Sequence, residues 1–169
     1  MTPQRLLQTA ILPALAELAR FGIRDTTEAR RFLLAIAFQE SGLAHRRQVV
    51  GGTESGPAVS FWQFEKGGGC KGVLTHPSVR DKMADICNAF NVQADPASLW
   101  AAMQYQDIVA ACAARLLVYT LPGSLPTTAA AGWNQYLSAW RPGRPREEHW
   151  PANWNLAQAA VSALGGLGA

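Results

Sequence analysis

The sequence predicts a mainly α-helical protein. It reads as one domain over residues 1–169, with a small β-hairpin or irregular insert around residues 43–74. Three observations lead there. Apolar residues recur at helical spacing over most of the chain, helix-capping residues open those runs, and glycines crowd the one stretch where the pattern lapses. A length of 169 residues with 49% apolar content suits one buried core and excludes disorder as the main state. The 15 Lys+Arg against 12 Asp+Glu leave a net charge of +3, with only 16% of residues charged. That is a mild attraction for anionic polymers, not the basic blanket of a specific nucleic-acid binder.

The elements follow in order. Thr2-Pro3 reads as an N-cap with proline at the first helical position. From there Leu6, Leu7, Ala10, Ile11, Ala14, Leu15 and Leu18 keep helical spacing to Phe21-Gly22, with a kink expected at Pro13. Asp25 and Glu28 have the spacing of a capping box and open a second helix, which runs to about Glu40 and stops at Gly42. In the glycine-rich stretch Val59-Ser60-Phe61-Trp62-Gln63-Phe64 is the best candidate for extended structure. Thr75–Pro77 caps a helix to about Phe90, and Asp95-Pro96 caps another. Asp107 to Tyr119 is a densely apolar helix ended by Pro122. Thr127 to Trp140 is a helix closed by Pro142-Gly143, Asn153 to Leu164 is the last, and Gly165 to Ala169 are expected to fray. No apolar run approaches the ~20 residues that span a bilayer, so no transmembrane segment is expected. The start Met1–Arg5 lacks the pattern of a secretory signal.

One residue stands out of place. At 100° per residue Ala29, Leu33, Ile36, Ala37 and Glu40 share a sector of about 100°. Leu34 and Phe38 make the opposite side apolar as well, so the helix is expected to be central. Glu40 then sits in an apolar stripe at a helix C-terminus. Both surroundings disfavour its ionised form and raise its pKa, as a general acid near neutral pH requires. The structural alternative is a Glu that leans into water or pairs with Arg46 or Arg47.

Glu40-Ser41-Gly42, a gap, and then Gly56-Pro57-Ala58-Val59-Ser60-Phe61-Trp62-Gln63-Phe64 resemble the lysozyme-like soluble lytic transglycosylase family, and Ala129-Ala130-Ala131-Gly132-Trp133-Asn134 resembles its third block. The likeness covers about residues 26–140, in order and spacing, and leaves residues 141–169 as a Trp-rich C-terminal extension. It implies a lysozyme-like fold and cleavage of peptidoglycan glycan strands by the single catalytic carboxyl Glu40. That carboxyl first protonates the glycosidic oxygen. It then acts as base while the sugar's own 6-hydroxyl closes a 1,6-anhydro ring. Ser41, Phe61, Trp62, Gln63, Trp133, Asn134 and Tyr136 are the implied substrate-side residues. If Val59–Phe64 is a strand, Phe61 and Gln63 point together while Trp62 and Phe64 point the other way. Two departures matter: Ser60 stands where the family usually has Gly, and Trp133 where it has Tyr. An indole N–H donates but cannot accept, so either that role is altered or Tyr136 supplies the hydroxyl.

A hydrolase of this kind would want a second carboxylate, for which Glu54 and Glu65 are the candidates; each also reads as an ordinary exposed charge. No cofactor or metal motif is present. Cys70, Cys87 and Cys112 lack ligand spacing and read as free thiols, with a Cys70–Cys87 disulfide left open. The run Gly67-Gly68-Gly69 reads as a turn or cleft rim rather than a phosphate loop. Arg141, Arg144 and Arg146 read as a solvated loop or a docking strip. Trp140, Trp150 and Trp154 either staple the last helix to the core or anchor contacts with other virion proteins. The resemblance looks most like a phage-encoded member, made in the host cytoplasm, packaged in the virion and acting in the periplasm or cell wall. Its alternative is a virion structural or assembly protein that kept the fold with weak or no activity, and a glycan-binding adapter is a more distant one.

Overall fold

The computed structural model describes residues 1–165. Helices dominate, and a two-stranded antiparallel sheet is inserted after the third of them. Thr2 caps α1 (Pro3–Leu6) through its hydroxyl, which accepts the Arg5 N–H. A π-helical turn, Leu7–Ile11, then leads directly into α2 (Leu12–Ala19). The kink expected at Pro13 is thus a widened turn just upstream, where Leu12 N–H reaches back to the Leu7 carbonyl.

Helix α3 (Thr27–Ser41) is capped by Thr26, whose hydroxyl accepts the Ala29 N–H at 3.2 Å. Asp25, the expected cap, instead accepts from two of the Arg30 guanidinium nitrogens, Nε at 2.7 Å and Nη2 at 2.6 Å. The extended φ/ψ at Thr26 (−136°, 159°) suits an N-cap, so the cap lies one residue later than the Asp25/Glu28 spacing suggests. Every residue from Phe32 to Ala37 is buried, as expected of a helix apolar all round. Gly42 ends it at φ +58°, a left-handed conformation that glycine adopts without a Cβ penalty.

The insert is a hairpin, β1 (Arg47–Val50) paired with β2 (Thr53–Val59). Gly51 and Gly52 form its two-residue turn at φ +58° and +82°, the pair of positive angles that a tight hairpin needs. The expected strand Val59–Phe64 is not one. Its residues make a tight turn closed by the Val59 N–H on the Phe64 carbonyl (3.0 Å) and the Phe64 N–H on the Val59 carbonyl (2.7 Å). Ser60 and Gln63 stand at φ +67° and +51°, so the alternation of a strand does not apply.

Another π turn (Lys66–Cys70) leads into α4 (Lys71–Thr75) and α5 (Arg80–Ala89). The helix expected from Thr75–Pro77 to about Phe90 is α5, which starts a few residues later at Arg80. Helix α4 precedes it unexpectedly and ends at His76, whose extended ψ (126°) is that of a residue before proline. Then come α6 (Pro96–Met103), capped by Asp95, and α7 (Asp107–Tyr119), buried continuously from Val109 to Leu116. Helix α8 (Ala129–Trp140) is capped by Thr128 and ends at Arg141, which takes the left-handed conformation (φ +47°). A 3₁₀ turn (Glu147–His149) opens α9 (Trp150–Gly165), three residues earlier than expected, with Pro151 in its first turn. The rest of the expected fraying, 166–169, lies outside the described residues.

In the core α3 packs on α9, and α7 on α2 and the π turn before it. Cys70, Cys87 and Cys112 are buried free thiols, so no Cys70–Cys87 disulfide forms. The Cys70 sulfur lies 3.9 Å from that of Met103, and Cys112 donates to the Ala14 carbonyl. Burial pushes the Cys70 and Cys112 thiols up to about 12 and Cys87 to about 11, which leaves them inert as nucleophiles. Among the described residues no helix is long and apolar enough to cross a membrane.

Candidate active site

The last turn of α3 opens on a groove of about 1260 Å³, larger than the ~300–1,000 Å³ typical of small-molecule pockets. Its lining comes from the end of α3, the hairpin, the Gln63–Gly72 stretch, the end of α7, and the chain from the end of α8 into α9. Glu40 is on that lining, half-buried. Desolvation dominates its electrostatics and pushes the carboxyl up to about 7; a hydrogen bond from Tyr136 and the charge of Arg146 pull it partly back.

Tyr136 Oη donates to Glu40 Oε1 at 2.5 Å. The phenol is almost fully buried, and burial, followed by the Glu40 charge, holds its pKa far above the usual value, so it remains a donor. With Oε1 accepting from Tyr136, the proton of the neutral acid resides on Oε2, the oxygen free to serve a ligand. Two indoles hold the phenol in place. Its ring stacks on Trp150 at 5.3 Å (18° between planes) and on Trp140 at 6.3 Å (25°). Each indole is anchored in turn, Trp140 Nε1 on the Trp62 carbonyl (2.9 Å) and Trp150 Nε1 on the Ala129 carbonyl (2.7 Å).

The remaining expected site residues divide. Gln63 and Ser41 line the same groove as Glu40. Gln63 donates its amide to the Ser60 carbonyl (2.8 Å), which leaves its side-chain oxygen for a ligand. The Ser41 hydroxyl lies 2.9 Å from both the Ala37 and Phe61 carbonyls and accepts the Leu43 N–H, so it stitches α3 to the turn and is not available to a ligand. Phe61 and Trp62 are not cleft residues. Because the segment turns, Phe61 is buried beneath the Arg46 guanidinium (4.7 Å), and Trp62 is fully buried with Nε1 donating to the Leu33 carbonyl. Trp133 is buried on Tyr136 and Trp150 instead of facing the groove, and Asn134, on the outer side of α8, is exposed away from it. Glu54 lies on the hairpin outside the groove, bonded to His45 at 3.0 Å, whereas Glu65 is exposed on the groove lining.

Sequence reasoning passes over Gln39 and Asn153 as site residues and reads Arg146 only as part of a solvated loop or docking strip. Gln39 Nε2 donates to the Arg146 carbonyl (2.9 Å) and its Oε1 accepts from Asn153 (2.8 Å), tying the chain after α8 and the start of α9 to the acid's own helix. The one available signal was Gln39 itself, a polar residue beside Glu40 on a helix otherwise apolar for two turns. Of the tryptophans, Trp150 and Trp154 are buried in the core, which assigns them to stapling α9 and removes them as an exposed docking surface.

Ser60 explains one departure from the resembled pattern. Its φ of +67° is a conformation suited to glycine, and the serine is held there by its own hydroxyl, which accepts the Trp62 N–H at 3.2 Å. Comparison of the chain with protein-family models, curated proteins and solved structures gives no match.

Proposed function

We propose that the chain is a lysozyme-like lytic transglycosylase that cuts the glycan strands of peptidoglycan, with Glu40 as its single acid and base. One observation carries the reading: a desolvated carboxyl, held neutral up to about pH 7 and oriented by a phenol, opens on a groove of about 1260 Å³. Supporting it are the helix that ends in Glu40-Ser41-Gly42, the hairpin and tight turn that follow, and a hydroxyl delivered to the acid from α8.

Glu40 Oε2 gives its proton to the glycosidic oxygen as the bond to the anomeric carbon breaks and an oxocarbenium-like centre develops. The carboxylate left behind takes a proton from the sugar's own 6-hydroxyl, whose oxygen closes on the anomeric carbon. Proton count balances, and no second carboxylate enters. Tyr136 bonds the carboxyl in both states and stabilises the ionised one, which speeds the first transfer at the expense of the second. Delivery inside a phage particle belongs to the same proposal.

Incubation of purified protein with sacculi, followed by mass analysis of the released muropeptides, tests this. Products ending in 1,6-anhydro sugar are expected, falling at least ~100-fold in Glu40→Gln, the scale of a general acid's contribution. Reducing-end products would identify a hydrolase instead. No cleavage by the folded wild type would favour a structural role.

A further inference from the structure

The segment between α8 and the 3₁₀ turn takes no direct part in the reaction above, yet Arg141, Arg144 and Arg146 all line the groove. It is tied at both ends beside the acid: Arg141 closes α8, and Gln39 of α3 holds the Arg146 carbonyl. Pro142 and Pro145 restrict its backbone, which lowers the cost of ordering it on a ligand. The three arginines are exposed, and among the described residues none of them is in an ion pair, although Arg20, Arg30, Arg46 and Arg80 each have a carboxylate partner. With Arg47 they put four arginines on the groove against the two exposed acidic residues Glu65 and Glu148, and Glu148 faces His149 at 3.8 Å. The chain's whole surplus is only +3, so most of it is concentrated on this surface. An uncharged glycan gains nothing from such a wall, whereas a glycan bearing carboxylates does.

We propose that Arg141 and Arg144, with Arg146, form a carboxylate subsite for the peptide stems that hang from cell-wall glycan, so that the groove prefers peptide-substituted strands to bare ones. This rests on the glycan reading given above and deepens it.

Binding, measured by calorimetry in a Glu40→Gln background to block turnover, separates the two. The probes are a neutral N-acetylglucosamine oligomer, a peptidoglycan fragment with tetrapeptide stems, and the same fragment after an amidase has removed the stems, which leaves one lactyl carboxylate in place of the several carboxylates of each stem. The stems are expected to tighten binding about tenfold, from ion pairs at a solvent-exposed wall. That gain disappears at high salt and in Arg141→Gln/Arg144→Gln, and lysine at both positions restores part of it. The neutral oligomer binds every variant alike. Stems that make no difference, or a double variant that weakens the neutral oligomer equally, overturn the subsite and leave the glycan reading standing. A folded protein that binds none of the three overturns both. A polyglycerol phosphate held as tightly through the same arginines gives the site to phosphodiester polymers and overturns the stem assignment.

Discussion

Replacing Glu40 by glutamine should make the protein more stable at alkaline pH, by an amount that the burial of its carboxyl sets. The unfolded chain releases the Glu40 proton near 4.5, while the native groove holds it to about 7. Below 4.5 both states bind the proton. Between the two values only the native state does, so wild-type stability falls as pH rises through that window and levels off above 7. The gap corresponds to about 3 kcal/mol, and partial solvent contact at the groove trims it toward ~2 kcal/mol. Glutamine has nearly the same shape, accepts the same bond from Tyr136 and does not titrate. The two proteins should therefore match near pH 4.5 and diverge by about 2–3 kcal/mol at pH 8, with the variant ahead. Urea unfolding at closely spaced pH values, read as variant minus wild type, cancels every other titrating group. Parallel curves across the window would refute the reasoning, because they would mean that the native carboxyl is ionised at ordinary pH and that no acid is stored in the groove.

Tyr136→Phe and Arg146→Gln each remove a group that lowers the Glu40 pKa, so both should move the alkaline limb of the cleavage profile to higher pH. A pH–rate series on soluble glycan fragments measures this, and a limb that moves down contradicts the assignment. Glu65→Gln, on the groove wall, should leave cleavage near the wild-type rate, since one carboxyl does all the proton transfer; a fall as deep as that of Glu40→Gln would mean a two-carboxylate hydrolase. Gly132→Ala should cost about 1–3 kcal/mol, because the added Cβ would stand 2.5 Å from the Trp154 ring and 3.1 Å from that of Trp150. Calorimetric melting should show Tm lower by ~2–4 °C for each kcal/mol.

The helices were legible because their ends are written locally. Thr2, Asp95 and Gly42 do the capping that their residue types announce, and the sector around Glu40 shows in spacing alone. What failed was composition used as a proxy for geometry. Val59–Phe64 has the β-branched and aromatic content of a strand, but Ser60 and Gln63 take positive φ, and nothing in their residue types marks that. Once the chain turns there, Phe61 and Trp62 no longer alternate between core and cleft; both bury, one under Arg46 and one under α3. The misplaced cap at Asp25 is a smaller instance of the same thing, with two adjacent residues both able to cap and the backbone at Thr26 deciding.

The site itself was half legible, for a reason that concerns the C-terminal tryptophans. Read along the chain, Trp140, Trp150 and Trp154 lie beyond the acid and its neighbours and look like an appendage. In three dimensions Trp140 and Trp150 both stack on the Tyr136 ring, and Trp154 packs on Trp150 and Phe32. Trp133, one turn earlier on α8, also packs on Tyr136 at 5.3 Å and so supports the tyrosine that reaches Glu40. Residues three apart share a helix face, which sets Trp133 beside Tyr136 on α8. Flat, rigid partners hold the phenol there, and α9 brings one of them. On this argument the last helix is a structural part of the candidate site. Its loss would release Tyr136 and at the same time uncover the face of α3 that packs on it, where Phe32 meets Trp150 and Trp154.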